Sequence, residues 1–158
     1  MYPFEIYCIF NEGGKVKTEL IPVDKETLTL EEGYQIPEGS HVYLDRDGTV
    51  DRDNPRSFLP DLRFLADQPG VVRLDIIVPL ISLSGIESLA NLFSLRICNY
   101  KGCSIQGIEF CRSLTTLTIG GRELDSVFLL YDLPLTELDI GHIEGIAVQR
   151  ADCRPLVH

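Results

Sequence analysis

A chain of 158 residues, 44% of them hydrophobic, can bury one sizeable core, or one small core that runs on into a stack of repeats. Acids outnumber bases 24 to 14, a formal charge of −10, and this argues against nucleic acid as a partner because phosphate contacts need clustered Lys and Arg; a basic protein fits better. The charge is uneven, with 14 acids and 7 bases in residues 1–70 against 10 and 7 in residues 71–158, so the front half dominates the field.

Met1 is followed by Tyr-Pro-Phe-Glu, which lacks the basic and apolar regions of a secretory signal. Phe4 to Phe10 and Val16 to Val23 flank Asn11-Glu12-Gly13-Gly14-Lys15 and predict two strands joined by a glycine turn, with a further strand through His41-Val42-Tyr43-Leu44. Residues 1–57 thus form a β-rich N-terminal cap region ahead of a second region, 58–158, the two making one continuous domain.

Val42-Tyr43-Leu44-Asp45-Arg46-Asp47-Gly48-Thr49-Val50 resembles the first motif of haloacid-dehalogenase-type phosphatases. The resemblance implies Asp45 as nucleophile on phosphorus and Asp47 as acid/base near a magnesium ion. The remaining machinery does not follow: Lys101 is the only downstream lysine, and no acidic pair closes a later strand. Asp45, Asp47, Asp51 and Asp53 also approach a calcium loop, but Thr49 stands where a ligand is needed and the closing Glu is missing. Asp and Gly clusters are above all turn formers, so an acidic turn is expected.

Past Ser57 an internal period appears. Val71-Val72-Arg73-Leu74-Asp75-Ile76, Leu92-Phe93-Ser94-Leu95-Arg96-Ile97, Leu114-Thr115-Thr116-Leu117-Thr118-Ile119 and Leu135-Thr136-Glu137-Leu138-Asp139-Ile140 all read apolar-x-x-Leu-x-Ile. Their central leucines are 21, 22 and 21 residues apart. Leu-x-Ile is the two-residue period of a strand, which sends Leu and Ile to one face and the residue between them to the other. Between strands, Leu83, Ile86 and Leu89, then Ile105, Ile108 and Cys111, then Leu124, Val127 and Leu130 recur every third residue, the spacing of a helical or 3₁₀ return. Leu62 and Leu65 repeat the set 21 residues ahead of Leu83 and Ile86, so a degenerate first unit begins near Ser57. No unit buries both its apolar faces alone, so the units are expected to stack, with parallel strands near 71–76, 92–97, 114–119 and 135–140.

Residues about 58–146 resemble the leucine-rich-repeat family, and Leu83 to Ile97 looks like its bacterial internalin-type repeat in particular. The resemblance implies an α/β fold, a short leucine-rich-repeat solenoid whose concave sheet recognises protein. One departure is plain: the Asn that the family carries after each strand is replaced by Pro79, Tyr100, Arg122 and Ile143. The tail after Ile146 is short and offers little to cover the last strand.

The outward strand residues expected to line the binding face are Arg73, Ser94, Thr116 and Glu137, beside Asp75, Arg96, Thr118 and Asp139, with Asp75 and Arg96 paired across neighbouring strands. Tyr100 and Arg122, at the strand exits, are candidate anchors because aromatic and Arg side chains are favoured there. Cys8, Cys98, Cys103, Cys111 and Cys153 form no CxxC pair and are odd in number, so reduced, mostly buried thiols are expected. His41, His142 and His158 are scattered, and neither a catalytic set nor a cofactor or metal site emerges. The most apolar run, Val71 to Ile86, is broken by Arg73, Asp75 and Pro79 and is too short to span a bilayer. The expectation is a cytoplasmic, non-catalytic module that binds a specific basic protein, an immunity or inhibitor protein against a toxin or enzyme; a leucine-rich-repeat adaptor or effector and the phosphatase are the alternatives.

Overall fold

Alternating apolar residues from Phe4 to Phe10 become strand β1 (Phe4–Glu12), with Phe4, Ile6, Cys8 and Phe10 buried and the residues between them half-buried. The computed structural model describes residues 1–47, 55–121 and 124–140. Gly13 and Gly14 both take positive φ, +61° and +82°, the pair of angles that matches a two-residue hairpin to the twist of its strands. β2 (Lys15–Leu20) therefore folds back antiparallel on β1, with Glu12 opposite Lys15. It stops at Leu20, short of the predicted Val23: Ile21 buries its side chain, and β3 (Val23–Asp24) and β4 (Thr29–Leu30) pair as a separate ribbon. β5 (Ser40–Arg46) contains the predicted His41–Leu44 and pairs antiparallel with β1.

β6 (Val71–Ile76), β7 (Ser94–Tyr100), β8 (Thr116–Gly121) and β9 (Glu137–Ile140) follow, all parallel to β5. One sheet of seven strands results, in the order β2-β1-β5-β6-β7-β8-β9, so the front region and the Leu-x-Ile region share it. Leu74, Leu95, Leu117 and Leu138 stand opposite one another in register, as do Ile76, Ile97, Ile119 and Ile140. β6 begins where expected, whereas β7, β8 and β9 begin two residues late. The amides of Leu92 and Leu114 turn back to the carbonyls of Leu89 and Cys111, as that of Val71 turns back to Gln68.

Among the described residues the helical pieces are 3₁₀ turns of three residues: η1 (Pro55–Ser57), η2 (Arg63–Leu65), η3 (Ile86–Ser88), η4 (Ile108–Phe110) and η5 (Phe128–Leu130). None of them is long and apolar enough to cross a membrane. Gly85 and Gly107, 22 residues apart, start η3 and η4 at φ +99° and +101°. Each backbone N–H there donates to the carboxylate two residues on, Glu87 at 3.0 Å and Glu109 at 2.9 Å. The turns lay Leu62, Leu65, Ile86, Leu89, Ile108, Cys111 and Leu130 against the inward Leu and Ile of the strands, which gives one continuous core on one side of the sheet. Among the described residues the fold is thus mixed, with a mostly parallel sheet packed by short turns on one face and open on the other.

Hydroxyls and an amide tie successive strands together at their starts. Thr136 donates to the carbonyl of Thr115, and Thr115 to that of Phe93, each at 3.2 Å, while Asn91 donates to the carbonyl of Pro69 at 2.9 Å.

Candidate interaction surface

Among the described residues, two-residue alternation leaves one face of the sheet without a covering layer, and register aligns its side chains into rows. One row runs Ile9, His41, Arg73, Ser94, Thr116 and Glu137 across β1, β5, β6, β7, β8 and β9. The next runs Tyr7, Tyr43, Asp75, Arg96, Thr118 and Asp139. Glu5 and Asp45 form the start of a third. Arg73, Arg96, Glu137 and Asp139 are exposed, and Asp75, Thr116 and Thr118 half-buried; all seven of these expected face residues are on the open face. Ser94, between Arg73 and Thr116, is buried.

Asp75 does stand opposite Arg96, but its carboxylate is taken from the other side, by His41 Nε2 at 2.9 Å. The cross-strand pairing expected from the sequence is therefore corrected: β5, unseen as a neighbour of β6, supplies the partner. Tyr43 stacks on Tyr7 with 4.9 Å between ring centroids and 18° between planes, and the His41 ring lies 6.2 Å from that of Tyr43. The Tyr7 hydroxyl donates to Glu5, and the Glu5 carboxylate holds its proton up to about 12, helped by partial desolvation and by the nearby Tyr43 and Asp45. Tyr7, Tyr43 and His41 were not among the residues expected on this face. The alternation of Phe4 to Phe10 carries the signal for Tyr7, but only the pairing of β1 with β5 and of β5 with β6 shows that the row continues.

Tyr100, expected at the surface as an anchor, is 2% exposed. The ladder between β7 and β8 is irregular between Ile97 and Tyr100, and this slip turns Tyr100 from the open face to the packed one. Its hydroxyl donates to the carbonyl of Ser104. Burial raises its pKa, with a smaller contribution from Cys103, against the backbone N–H of Leu83. Tyr100 lines a groove of about 520 Å³ formed by the segments that follow β6 and β7, together with Ile81, Glu87, Glu109 and Phe110. Arg122, the other candidate anchor, lies outside the described residues, as do His142, Ile143, Cys153 and the tail after Ile146.

Of the aspartates in the acidic string, Asp45 is on the open face and accepts the amide of Arg46 at 2.7 Å. Asp47 pairs with Lys25 at 2.9 Å, and its own amide donates to the carbonyl of Pro3. Thr49, Asp51 and Asp53 lie outside the described residues, and among those described no His, Cys, Asp and Glu cluster has the arrangement to hold a metal ion. Lys101 donates its amide to the carbonyl of Leu80, on the loop side of β7.

Family models, curated proteins and solved structures give no match to this chain. What the face can do is then a matter of its side chains: aligned charges, hydroxyls and aromatic rings on a sheet held from behind by a packed core, an arrangement that presents a preformed surface rather than an enclosed pocket.

Of the cysteines, Cys8 and Cys111 are buried while Cys98 and Cys103 are exposed, so the expectation of mostly buried thiols holds for half of those described. Cys98 falls outside because it follows Ile97 in the alternation and so leaves the packed side.

Proposed function

We propose that this chain is a short leucine-rich-repeat solenoid that binds a specific basic protein through the open face of its sheet and catalyses no reaction. The observation that carries the reading is the register of the rows: Tyr7, Tyr43, Asp75, Arg96, Thr118 and Asp139 follow one another across the sheet, fixed by backbone pairing. A surface preorganised in that way loses little conformational entropy on association. The 22-residue recurrence of the glycine starts at Gly85 and Gly107, and the equivalent placing of the Leu-x-Ile strands, support the repeat architecture. Tyr100 takes over the task of the missing Asn, bonding loop backbone from inside.

A formal charge of −10 favours a basic partner through complementary potential and fast encounter. Acidity and the use of the sheet for display point to an inhibitor, an immunity protein that neutralises a toxin or enzyme, working in the cytoplasm where cysteines stay reduced. An adaptor or effector would use the same face.

The test is chemical cross-linking and purification from the native host, followed by calorimetry with the partner recovered. Thr118→Arg and Glu137→Arg are expected to weaken binding at least about tenfold, a loss of about 1.4 kcal/mol, while Lys15→Glu on β2 leaves it unchanged. Equal affinity in all three variants overturns the face. Magnesium-dependent hydrolysis of a phosphate ester that disappears in Asp45→Asn overturns the non-catalytic reading.

A further inference from the structure

The open face differs along its length. At its front, Tyr7 and Tyr43 stack, and Asp75 follows Tyr43 in register. Glu5 and Asp45 stand opposite each other one step along β1 and β5, within Coulombic reach of the Tyr7 hydroxyl. Apolar surface frames this corner: Ile9 is half-buried on β1, and Ile77, directly after β6, is 45% exposed. Three carboxylates thus flank two phenol rings; of the neighbouring cations, Arg73 is in the adjoining row, Arg96 is beyond Asp75 in the same row, and Arg46 follows Asp45 at the end of β5. The His41 contact occupies Oδ2 of Asp75 and leaves Oδ1 of the same carboxylate for another donor. Towards the far end the face carries Arg96, threonines, Glu137 and Asp139, with no aromatic ring in these rows.

We propose that this corner, formed by Tyr7, Tyr43, Glu5, Asp45 and Asp75, is the docking point for an arginine side chain of the partner. The inference rests on the protein-binding reading above and gives it a centre. A guanidinium is the group that fits both halves of the corner at once: its flat face stacks on an aromatic ring, and its in-plane N–H donors reach carboxylates at the ring's edge. An ammonium carries the charge but has no plane to stack, and a neutral amide has neither full charge nor the fork of donors. The stacked pair offers a stiff platform, because two rings held on paired strands lose little freedom when a third group is laid on them. Negative charge is supplied at this corner by Glu5 and Asp45, which stand opposite each other, and the chain's formal charge of −10 favours the approach of a cation.

The probe is N-acetyl-arginine methylamide, titrated into the ¹⁵N-labelled full chain, with the citrulline analogue as the neutral isostere. Amide shifts are expected to concentrate at Tyr7, His41, Tyr43 and Asp75, with an association constant about tenfold higher for arginine than for citrulline. Tyr43→Phe is expected to keep the response and Tyr43→Thr to abolish it. Glu5→Gln with Asp45→Asn keeps the rings, and is expected to lower the arginine constant about fivefold even if Tyr43→Thr fails to fold. Equal response to both probes, shifts spread over the whole acidic surface, or an unchanged response in the double variant overturns the inference. A recovered partner whose binding falls in Glu137→Arg, with no arginine response at this corner, sinks the arginine site and leaves the protein-binding reading standing. An intact arginine response with a partner indifferent to every face substitution does the reverse.

Discussion

The hydroxyl of Tyr100 donates to the carbonyl oxygen of Ser104, joining the end of β7 to the loop that leaves it. The ring fills space beneath Gly102, where an added Cβ would stand 2.7 Å from the hydroxyl oxygen, so ring and loop are fitted to each other. Tyr100→Phe removes the hydrogen bond to the Ser104 carbonyl, at an expected cost of about 0.5–1.5 kcal/mol. Tyr100→Ala adds a cavity and is expected to cost about 3–5 kcal/mol. Urea denaturation of both variants checks the ordering; equal stability of the Phe variant and the parent would mean that the bond contributes nothing.

Leu117 lies in the middle of the aligned leucines, between Leu95 and Leu138, and is fully buried. Leu117→Ala is expected to destabilise the fold by about 2–5 kcal/mol, because neighbours held in fixed register cannot collapse freely into the space. Thr118→Ala, one residue on but facing out, is expected to shift stability by less than about 0.5 kcal/mol. Thermal melts that show similar losses for both would contradict the assigned faces.

Gly85 has φ +99°, and a Cβ there would come within 2.6 Å of the Arg63 amide nitrogen and the Leu62 carbonyl carbon. Gly13 also has positive φ, +61°, but nothing lies within 4 Å of its added Cβ. Gly85→Ala therefore combines backbone strain with a clash against the neighbouring turn and is expected to cost well over about 2 kcal/mol, against about 1 kcal/mol for Gly13→Ala. The comparison is made by chemical denaturation of the two variants side by side, and a reversed order would refute it.

Burial pushes the Cys111 thiol up to about 12, with smaller contributions from Glu109 and Glu87. An unfolded cysteine ionises near its ordinary value of 9.0, so the folded state holds this proton more tightly. The resulting stabilisation is complete below pH 9 and is lost as pH climbs from 9 towards 12. Stability measured from pH 8 to 11 is expected to fall, and to fall less in Cys111→Ala once its lower starting value is subtracted. At neutral pH, iodoacetamide is expected to modify exposed Cys98 many times faster than Cys111, as read by peptide mass mapping.

The strands were legible because their evidence is local. Leu-x-Ile names both the element and its buried side, and the three-residue spacing of Leu83, Ile86 and Leu89 locates a return without the rest of the chain. Tyr100 was misread for a reason that is equally local but hidden: strict alternation from Ile97 would turn it outward, and the slip between Ile97 and Tyr100 reverses that parity. No residue type marks the slip. The front of the face was missed for a different reason. Tyr7, Tyr43 and Asp75 are separated by more than thirty residues at each step and meet only because β1, β5 and β6 are adjacent, which is a fact of topology rather than of pattern.

β1 opposes the direction of β5, while every strand from β5 to β9 runs the same way. That reversal works as a terminus in the mechanical sense: a further copy of the parallel unit has no seat of the right polarity beyond it. The outermost strand, β2, adds exposed Lys15 and Lys17, the latter paired with Glu12, and charged edges of that kind discourage the lateral growth that ends in aggregates. The length of the array at this end is thereby limited by chain direction, so lengthening it by duplication of one unit is expected to succeed between β6 and β8 and to fail in front of β5.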